Sequence, residues 1–175
     1  MARPGCMLRA GVSGVGRQWI PRPAAPGDAS ALAALDSLVN PSPWSESQFS
    51  QACAPRAETG AERALVICTD ARALGFVVYS RVLDEACIHN IAVHPARQGC
   101  GMGRSLLGAA LRQSRGEGAT RCYLEVRASN GAARGLYEKL GFLVSGVRKN
   151  YYVTPAGRED ALLMSLPLTE LECQT

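Results

Sequence analysis

The chain has 175 residues, of which 47% are hydrophobic and 19% are charged. These proportions predict one soluble globular domain with its own core and exclude a largely disordered chain. The net charge of +4 comes from four arginines that precede Asp28, the first acidic residue; the 15 other basic residues equal the acidic residues in number. The body of the protein is therefore neutral, which argues against direct binding of nucleic acid.

The N-terminal segment 1–18 has no hydrophobic period and predicts a disordered extension ahead of a folded domain at 19–175. It is rich in arginine and free of acidic residues, as in transit peptides, but it lacks the apolar core of a secretory signal. An upstream start codon is an alternative explanation for it. Because no apolar run approaches the roughly 20 residues of a membrane span, we expect a cytoplasmic protein without a membrane anchor. We also expect a monomer or a weak dimer.

Seven cysteines are spread along the chain without a C-x-x-C pair, and only two histidines accompany them. An odd number and this spacing argue against a disulfide framework and a structural zinc site. Cys68, Cys87 and Cys122 lie in apolar runs, where a buried free thiol is the ordinary interpretation. We therefore expect a reducing compartment and no bound metal.

Hydrophobic periodicity and turn residues predict eleven elements in the order β-α-α-β-β-β-α-β-α-β-β. A short strand is predicted around Trp19–Arg22, a helix capped by Asp28 ends before Pro41, and a second short helix begins near Ser45. The later strands are predicted at 64–68, 74–80, 85–93, 121–126, 142–148 and 161–166, and the later helices at 103–115 and 130–140. This order predicts an α/β (α+β) fold with a mixed central sheet of about six to seven strands and helices on both faces.

A glycine-rich run lies between a predicted strand and a predicted helix, with the sequence Gln98-Gly99-Cys100-Gly101-Met102-Gly103. Its glycines let a ligand approach the backbone. Its backbone amides lie at the start of a predicted helix, where the N-terminus carries a partial positive charge. The residues alone predict a phosphate or anion site or, alternatively, a purely structural turn. A Walker loop is excluded because no Gly-Lys-Ser/Thr follows, and the spacing differs from that of a dinucleotide fold.

This run resembles the Q/R-x-x-G-x-G/A element of the GNAT (GCN5-related) acetyltransferase superfamily. The resemblance implies that acetyl-CoA is the co-substrate and that its pyrophosphate is held by Gln98, Gly99, Cys100, Gly101, Met102, Gly103 and Arg104. The preceding strand, which ends at Pro95, resembles the family's splayed fourth strand, whose backbone receives the pantetheine arm as an added strand, here at Ile91, Ala92 and Val93. Gly99 and Cys100 replace the long or basic residues that are common there, which removes a side-chain contact to phosphate.

Two residues that follow are candidates for acid–base chemistry. Glu125 lies in an apolar strand between Leu124 and Val126. A Glu125 that faces a cleft would be a better base, but strand alternation equally permits an exposed carboxylate. Tyr137, twelve residues later, is a candidate acid for a departing thiolate or, alternatively, a packing residue of its helix.

The run from Leu124 to Phe142 closely resembles the RimI-type ribosomal-protein alanine acetyltransferases. That resemblance implies that Glu125 is the general base, that Tyr137 protonates the sulfur of coenzyme A, and that Asn130 contacts acetyl-CoA. A simple helix cap at Asn130 is compatible with the same geometry. The implied acceptor is the N-terminal α-amine of another protein, namely the N-terminal alanine of the small-subunit ribosomal protein numbered eighteen.

Two further stretches resemble the acceptor side of that subfamily, Pro43–Glu46 and the late hairpin at 148–161. The implied acceptor-binding residues are Trp44, Asn90, Tyr151, Tyr152, Glu159 and Asp160. A solvated hairpin with packing tyrosines is the alternative. The chain departs from the pattern at His89, where an aromatic or aliphatic residue is usual, and at Val153, where proline is common. Alternatives to the implied function are acetylation of a small amine or lysine and a non-catalytic acetyl-CoA-binding module.

Overall fold

The computed structural model describes residues 19–54, 62–69 and 72–169, so the predicted extension 1–18 lies outside the described residues. The strands and helices follow the predicted order, which confirms the fold class. They are β1 (Arg22–Pro23), α1 (Ala29–Val39), α2 (Glu46–Ala52), β2 (Arg63–Thr69), β3 (Arg72–Val82), β4 (Glu85–Val93), α3 (Met102–Gly116), β5 (Arg121–Arg127), α4 (Gly131–Lys139), β6 (Leu143–Thr154) and β7 (Gly157–Pro167).

The seven strands form one mixed sheet in the order β1-β2-β3-β4-β5-β7-β6. Neighbouring strands are antiparallel except β4 and β5, which are parallel. β1 has only two residues and begins later than predicted, since prolines at 21 and 23 cannot donate to a ladder. β6 and β7 extend beyond their predicted ends to form a long hairpin, because its outer half is polar and carries little hydrophobic alternation.

Alternate residues of the central strands supply two separate hydrophobic cores, one on each face of the sheet. On one face α3 and α4 pack against residues that include Leu65, Val77 and Leu124. On the other face α1 and α2 pack against Val66 and Phe76, with their neighbours. The sheet is therefore held rigidly between helices, and its middle provides the framework for a site.

The pairing of β4 with β5 stops partway along both strands. The last paired residues are Ile88 and Leu124, although β4 continues to Val93 and β5 continues to Arg127. A bulge in β4 lies at the same point, since Val78 pairs with Asn90 and Tyr79 with Ile88, which leaves His89 without a cross-strand partner. Because a bulge bends its strand and ends regular pairing, β4 and β5 diverge and leave a gap within the sheet.

A buried carboxylate joins α1 to β4 beside this gap. Asp36 is fully buried, and its Oδ2 accepts hydrogen bonds from the Trp44 amide at 2.8 Å and from Asn90 Nδ2 at 3.0 Å. Its Oδ1 has no hydrogen-bond partner among the described residues. Asp36 therefore fixes the α1–α2 connection against β4, a contact between residues 54 positions apart that the sequence pattern does not indicate.

We predict that Asp36→Ala lowers the free energy of unfolding by about 2–3 kcal/mol, because two donors lose their buried acceptor. Urea denaturation measures this change. Ser37→Ala, on the exposed neighbouring position of α1, is the matched control and should change stability by less than about 0.5 kcal/mol. Equal stability of the two variants would contradict the structural role assigned to Asp36.

Candidate active site

The gap between β4 and β5 opens into a cleft of about 1050 Å³. Its walls come from the diverging ends of the two strands, the first turn of α3, α4, the α1–α2 connection and β6. Fifteen of the residues predicted for the site line this one cleft: Trp44, Asn90, Ile91, Ala92, Val93, Gln98, Gly99, Gly101, Met102, Gly103, Arg104, Glu125, Asn130, Tyr137 and Tyr152. Four others, Cys100, Tyr151, Glu159 and Asp160, do not line it.

The N-terminus of α3 forms one end of the cleft. Gly101 is its N-cap residue, with a φ of +79° that a glycine adopts without strain, and no side chain caps the helix among the described residues. The amides of the first turn are thus left without a capping partner beside the cleft, where the helix dipole favours an anion. Glycine at 103 permits close packing of α3 against α4, since a Cβ there would lie 3.1 Å from Leu136 Cδ2.

Two long side chains fix the loop that precedes α3. Trp19 Nε1 donates a hydrogen bond to the carbonyl of Cys100 at 2.8 Å, and Gln98 Nε2 donates to the carbonyl of Val93 at 3.1 Å. Gln98 therefore joins the loop to the end of β4, while Cys100 is exposed and contributes its carbonyl to the anchor. Trp19 was predicted only as part of a strand; its contact spans 81 residues, and no local pattern signals it.

The end of β4 presents backbone groups to the gap. The amide of His94 donates to Leu74 on the β3 side at 2.8 Å. Because bonding directions alternate along an antiparallel pair, the amides of Ile91 and Val93 face the opposite way, toward the gap that β5 does not fill. The side chain of Ala92 is buried against the core beneath α1 and α2, so its contribution to the cleft is backbone.

Glu125 lies immediately beyond the paired part of β5, with its side chain 25% exposed. Its Oε1 accepts a hydrogen bond from Tyr152 Oη at 3.0 Å, and its Oε2 lies 3.3 Å from Arg148 Nη1. Burial, followed by the hydrogen bond to Glu125, raises the pKa of Tyr152 to about 12, so this phenol is protonated and is the donor. The guanidinium of Arg127 stacks on the Tyr152 ring at 4.1 Å. Two residues of β6, Tyr152 and Arg148, thus fix the Glu125 carboxylate. The contact between Arg148 and Glu125 was not predicted from the sequence.

The position of Tyr137 is compatible with both alternatives that the sequence left open. Its residue is only 4% exposed, and its ring packs against Phe142 with centroids 5.9 Å apart. It also lines the cleft, and its hydroxyl makes no hydrogen bond within the described residues. Burial, with a smaller contribution from Tyr152, raises the pKa of Tyr137 well above its usual value of 10. The phenol therefore remains protonated at neutral pH and can donate to an anion in the cleft.

Asn130 caps α4, because its Oδ1 accepts a hydrogen bond from the Ala133 amide at 3.1 Å. The cap interpretation of this residue is therefore present in the structure, and Asn130 lines the cleft as well. Trp44 also lines the cleft and packs against Phe49 with ring centroids 5.6 Å apart. The hydrogen bond from its amide to Asp36 holds its backbone in position.

The two acidic residues of the β6–β7 hairpin are engaged outside the cleft. Glu159 accepts a hydrogen bond from the Ser129 amide at 2.6 Å and pairs with Arg127 at 3.6 Å. The Ser129 side chain, and after it the Ser129 amide, lower the pKa of Glu159. Asp160 accepts from the Asn150 amide at 2.7 Å. Both carboxylates thus hold the hairpin in shape. Their attraction for an ammonium group stays a prediction.

Tyr151, also predicted for the acceptor side, is 47% exposed and packs edge-on against Tyr152 with centroids 5.0 Å apart.

Within the described ranges, no cluster of three or more His, Cys, Asp or Glu residues is arranged to bind a metal. In that same part of the chain, none of the helices combines the length and apolar character needed to cross a membrane. The described cysteines, Cys53, Cys68, Cys87, Cys100 and Cys122, are free thiols.

A family assignment accounts for this arrangement. Residues 30–142 match the acetyltransferase (GNAT) family, and the chain belongs to that family. Membership implies acetyl-CoA as the co-substrate, in agreement with the uncapped helix terminus and the unpaired strand end.

Individual relatives are more specific than the family. The chain is 40% identical over 137 residues to the [ribosomal protein bS18]-alanine N-acetyltransferase of Escherichia coli K12, a match that covers 77% of this chain and 88% of the relative. A putative enzyme of the same description from Bacillus subtilis is 39% identical over 129 residues, 74% of this chain and 82% of that protein. The crystal structure of the Escherichia coli ribosomal-protein-S18-alanine N-acetyltransferase superposes with a TM-score of 0.76 at 36% identity, over 86% of this chain and 94% of that one. The chain is thus a homologue of these acetyltransferases, which confirms the predicted family and class of enzyme.

We predict that Gly101→Ala weakens acetyl-CoA binding about tenfold, because an alanine at this left-handed φ costs roughly 1–2 kcal/mol and shifts the amides that follow. Isothermal titration calorimetry measures the affinity. Gly108→Ala, inside α3, is the control, since the added Cβ meets only the flexible end of Arg112. An unchanged affinity in Gly101→Ala would argue against this helix terminus as the pyrophosphate site.

Proposed function

We propose that this protein transfers the acetyl group of acetyl-CoA to the N-terminal α-amine of another protein, with the N-terminal alanine of ribosomal protein bS18 as its acceptor. The observation that carries the proposal is the meeting, in one cleft, of a fixed carboxylate, a protonated phenol and unpaired backbone amides. The printed function of the homologues supports the choice of acceptor.

Acetyl-CoA supplies an acetyl thioester, which is an activated acyl group. On this proposal the amides at the start of α3 hold its pyrophosphate, and the β4 backbone at Ile91 and Val93 pairs with its extended arm. Asn130, at the start of α4, lies on the opposite wall of the cleft. On this proposal the amides near Val93 also donate hydrogen bonds that polarise the acetyl carbonyl.

Glu125 is the proposed general base. An α-amine has a pKa of about 7.7–8.0, so it is mostly protonated at neutral pH and must lose a proton before it attacks. Glu125 faces the cleft and is fixed as a carboxylate by the hydrogen bond from Tyr152 and by the ion pair with Arg148. Its geometry therefore suits acceptance of that proton, either directly or through water.

Tyr137 is the proposed general acid, which donates its phenolic proton to the departing sulfur. Its raised pKa keeps the proton in place until a strong acceptor forms nearby, and its hydroxyl is not committed to a neighbour. Direct attack by the amine needs no covalent acyl-enzyme. In agreement, burial raises the pKa of Cys122 to about 12, which leaves that thiol a poor nucleophile, and Cys100 does not line the cleft.

The acceptor enters, on this proposal, between the α1–α2 connection and the β6–β7 hairpin. Trp44, Asn90 and Tyr152 line that side of the cleft. Asn90 is nearly buried and donates to Asp36, so its role is to hold the wall in position rather than to offer a free amide. On this proposal the rings of Trp44 and Tyr152 contact the chain terminus of the acceptor.

The proposal is tested by thiol release from acetyl-CoA in the presence of a short peptide that begins with alanine. The same peptide with a blocked N-terminus, a lysine-containing blocked peptide and small amines are the comparison acceptors. Turnover with the free peptide alone supports α-amine acetylation. Turnover with blocked lysine peptide or small amines would instead assign a different acceptor, and silence with all of them would indicate a binding module.

We predict that Glu125→Gln and Tyr137→Phe each lower kcat by about 10²–10⁴-fold, the range typical of general acid–base groups, while acetyl-CoA binding is retained. Thiol release and calorimetry measure the two quantities. Glu85→Gln and Tyr123→Phe are matched controls, because this carboxylate and phenol form a similar pair at 3.3 Å but lie outside the cleft. Wild-type rates in both test variants would overturn the assigned roles.

A further inference from the structure

His89 occupies the point at which the sheet divides. It is the bulge residue of β4, and it directly follows Ile88, the last residue of that strand to pair with β5. Glu125 directly follows Leu124, the partner of Ile88. Paired strands lie about 4.8 Å apart, so His89 and Glu125 face each other across the narrow end of the gap. Both residues line the cleft.

The two side chains also lie on the same face of the sheet. Cys87 pairs with Ser80 on one side and with Tyr123 on the other, so these three side chains share a face. His89 Nε2 lies 2.7 Å from Ser80 Oγ, which places the imidazole on that face. Glu125 is two residues beyond Tyr123 on a regular strand and therefore points the same way.

The contact with Ser80 fixes the ring and permits it to accept a proton. Ser80 is 7% exposed, so the hydroxyl is a well-held partner. When the Nε2–H of His89 donates to Ser80 Oγ, Nδ1 carries the free lone pair. The same hydrogen bond persists after Nδ1 is protonated, so the imidazole changes charge without turning.

The surrounding groups favour the neutral ring at neutral pH. Removal of water from around the imidazole lowers the pKa of His89 below its usual 6.5, and Glu62, ahead of β2, opposes this shift. From β5 the ring faces Glu125, and on its own strand Cys87 has a thiol whose pKa is raised, mainly by burial. From β6, Tyr152 and Arg148 contact Glu125.

Glu125 must lose its proton once per turnover, yet neither partner on β6 can take it. Arg148 has donors only, and Tyr152 is already protonated. Among the described residues that line the cleft, His89 is the one imidazole. We propose that His89 is a proton relay that takes the amine-derived proton from Glu125 and passes it to solvent. The Glu125 O–H bond breaks as an N–H bond forms at His89 Nδ1, directly or through one water, and the imidazolium then deprotonates. This inference rests on the proposed function of Glu125.

The experiment compares wild type with His89→Gln, which keeps a hydrogen-bonding group toward Ser80 but cannot take up a proton. With saturating acetyl-CoA and alanine-starting peptide, kcat at pH 7.5 should fall about tenfold, with the KM for acetyl-CoA unchanged. As the pH falls through the lowered pKa of His89, which lies below 6.5, the difference between the two proteins should narrow, because protonation of His89 removes the relay from the wild type. A kcat ratio that is constant across this pH range would overturn the proposal.

Chemical rescue separates proton transfer from a structural effect. Added imidazole should restore much of the kcat of His89→Ala and should not stimulate His94→Ala, which lacks the other histidine of the chain. Absence of rescue in His89→Ala with wild-type acetyl-CoA affinity would overturn the relay.

Nitrogen NMR of the wild type supplies a readout that does not depend on turnover: the neutral ring should carry its proton on Nε2. A proton on Nδ1 would exclude the relay whatever the acceptor is. Failure of the alanine peptide in wild type would overturn the proposed acceptor alone, since the NMR result still decides the role of His89.

Discussion

Parallel pairing between β4 and β5 ends at Ile88 and Leu124, and the cleft depends on that interruption. A continuous pair would commit the amides of Ile91 and Val93 to β5 and bury them. The bulge at His89 turns β4 away, so these amides meet solvent and ligand instead of a strand. Since the helices on both faces and the strands on either side remain in place, the gap is a stable feature of a packed sheet.

The same interruption brings chemistry from distant parts of the chain to one place. Glu125 lies just beyond it on β5, and the β6–β7 hairpin reaches over with Tyr152 and Arg148 to hold the carboxylate. That hairpin is itself tied to the start of α4, because Glu159 accepts from the Ser129 amide and pairs with Arg127. The β6–β7 hairpin and the proposed base, Glu125, are therefore joined by direct contacts. We expect that a bound chain terminus that moves the hairpin also moves Glu125.

Sequence reasoning predicted the elements whose hydrophobic period is strong, and it placed α3 and β5 within about one residue of their observed ends. It also predicted fifteen of the residues that line the cleft. Glycine spacing and the resemblance to the acetyltransferase family are both features of short continuous stretches of sequence, which can be recognised without a structure. It missed contacts that join distant segments: Asp36 with Asn90, Trp19 with Cys100, and Arg148 with Glu125. A pattern along the chain does not encode such pairs, since each depends on how strands stack in the sheet. The length of the β6–β7 hairpin was underestimated because its outer half is polar and lacks hydrophobic alternation.

The two phenols of the cleft show how environment divides one chemical group between two roles. Both Tyr137 and Tyr152 have a raised pKa, so both are protonated at neutral pH. Tyr152 donates its proton in a hydrogen bond to Glu125, and burial together with that carboxylate raises the pKa of Tyr152 to about 12, so transfer of the proton to Glu125 is unfavourable. Tyr137 has no such acceptor within the described residues, although it is 4% exposed and its neighbours are mostly apolar. Because Tyr137 lines the cleft, its hydroxyl is available to a ligand there, and a departing thiolate is an acceptor strong enough to take the proton.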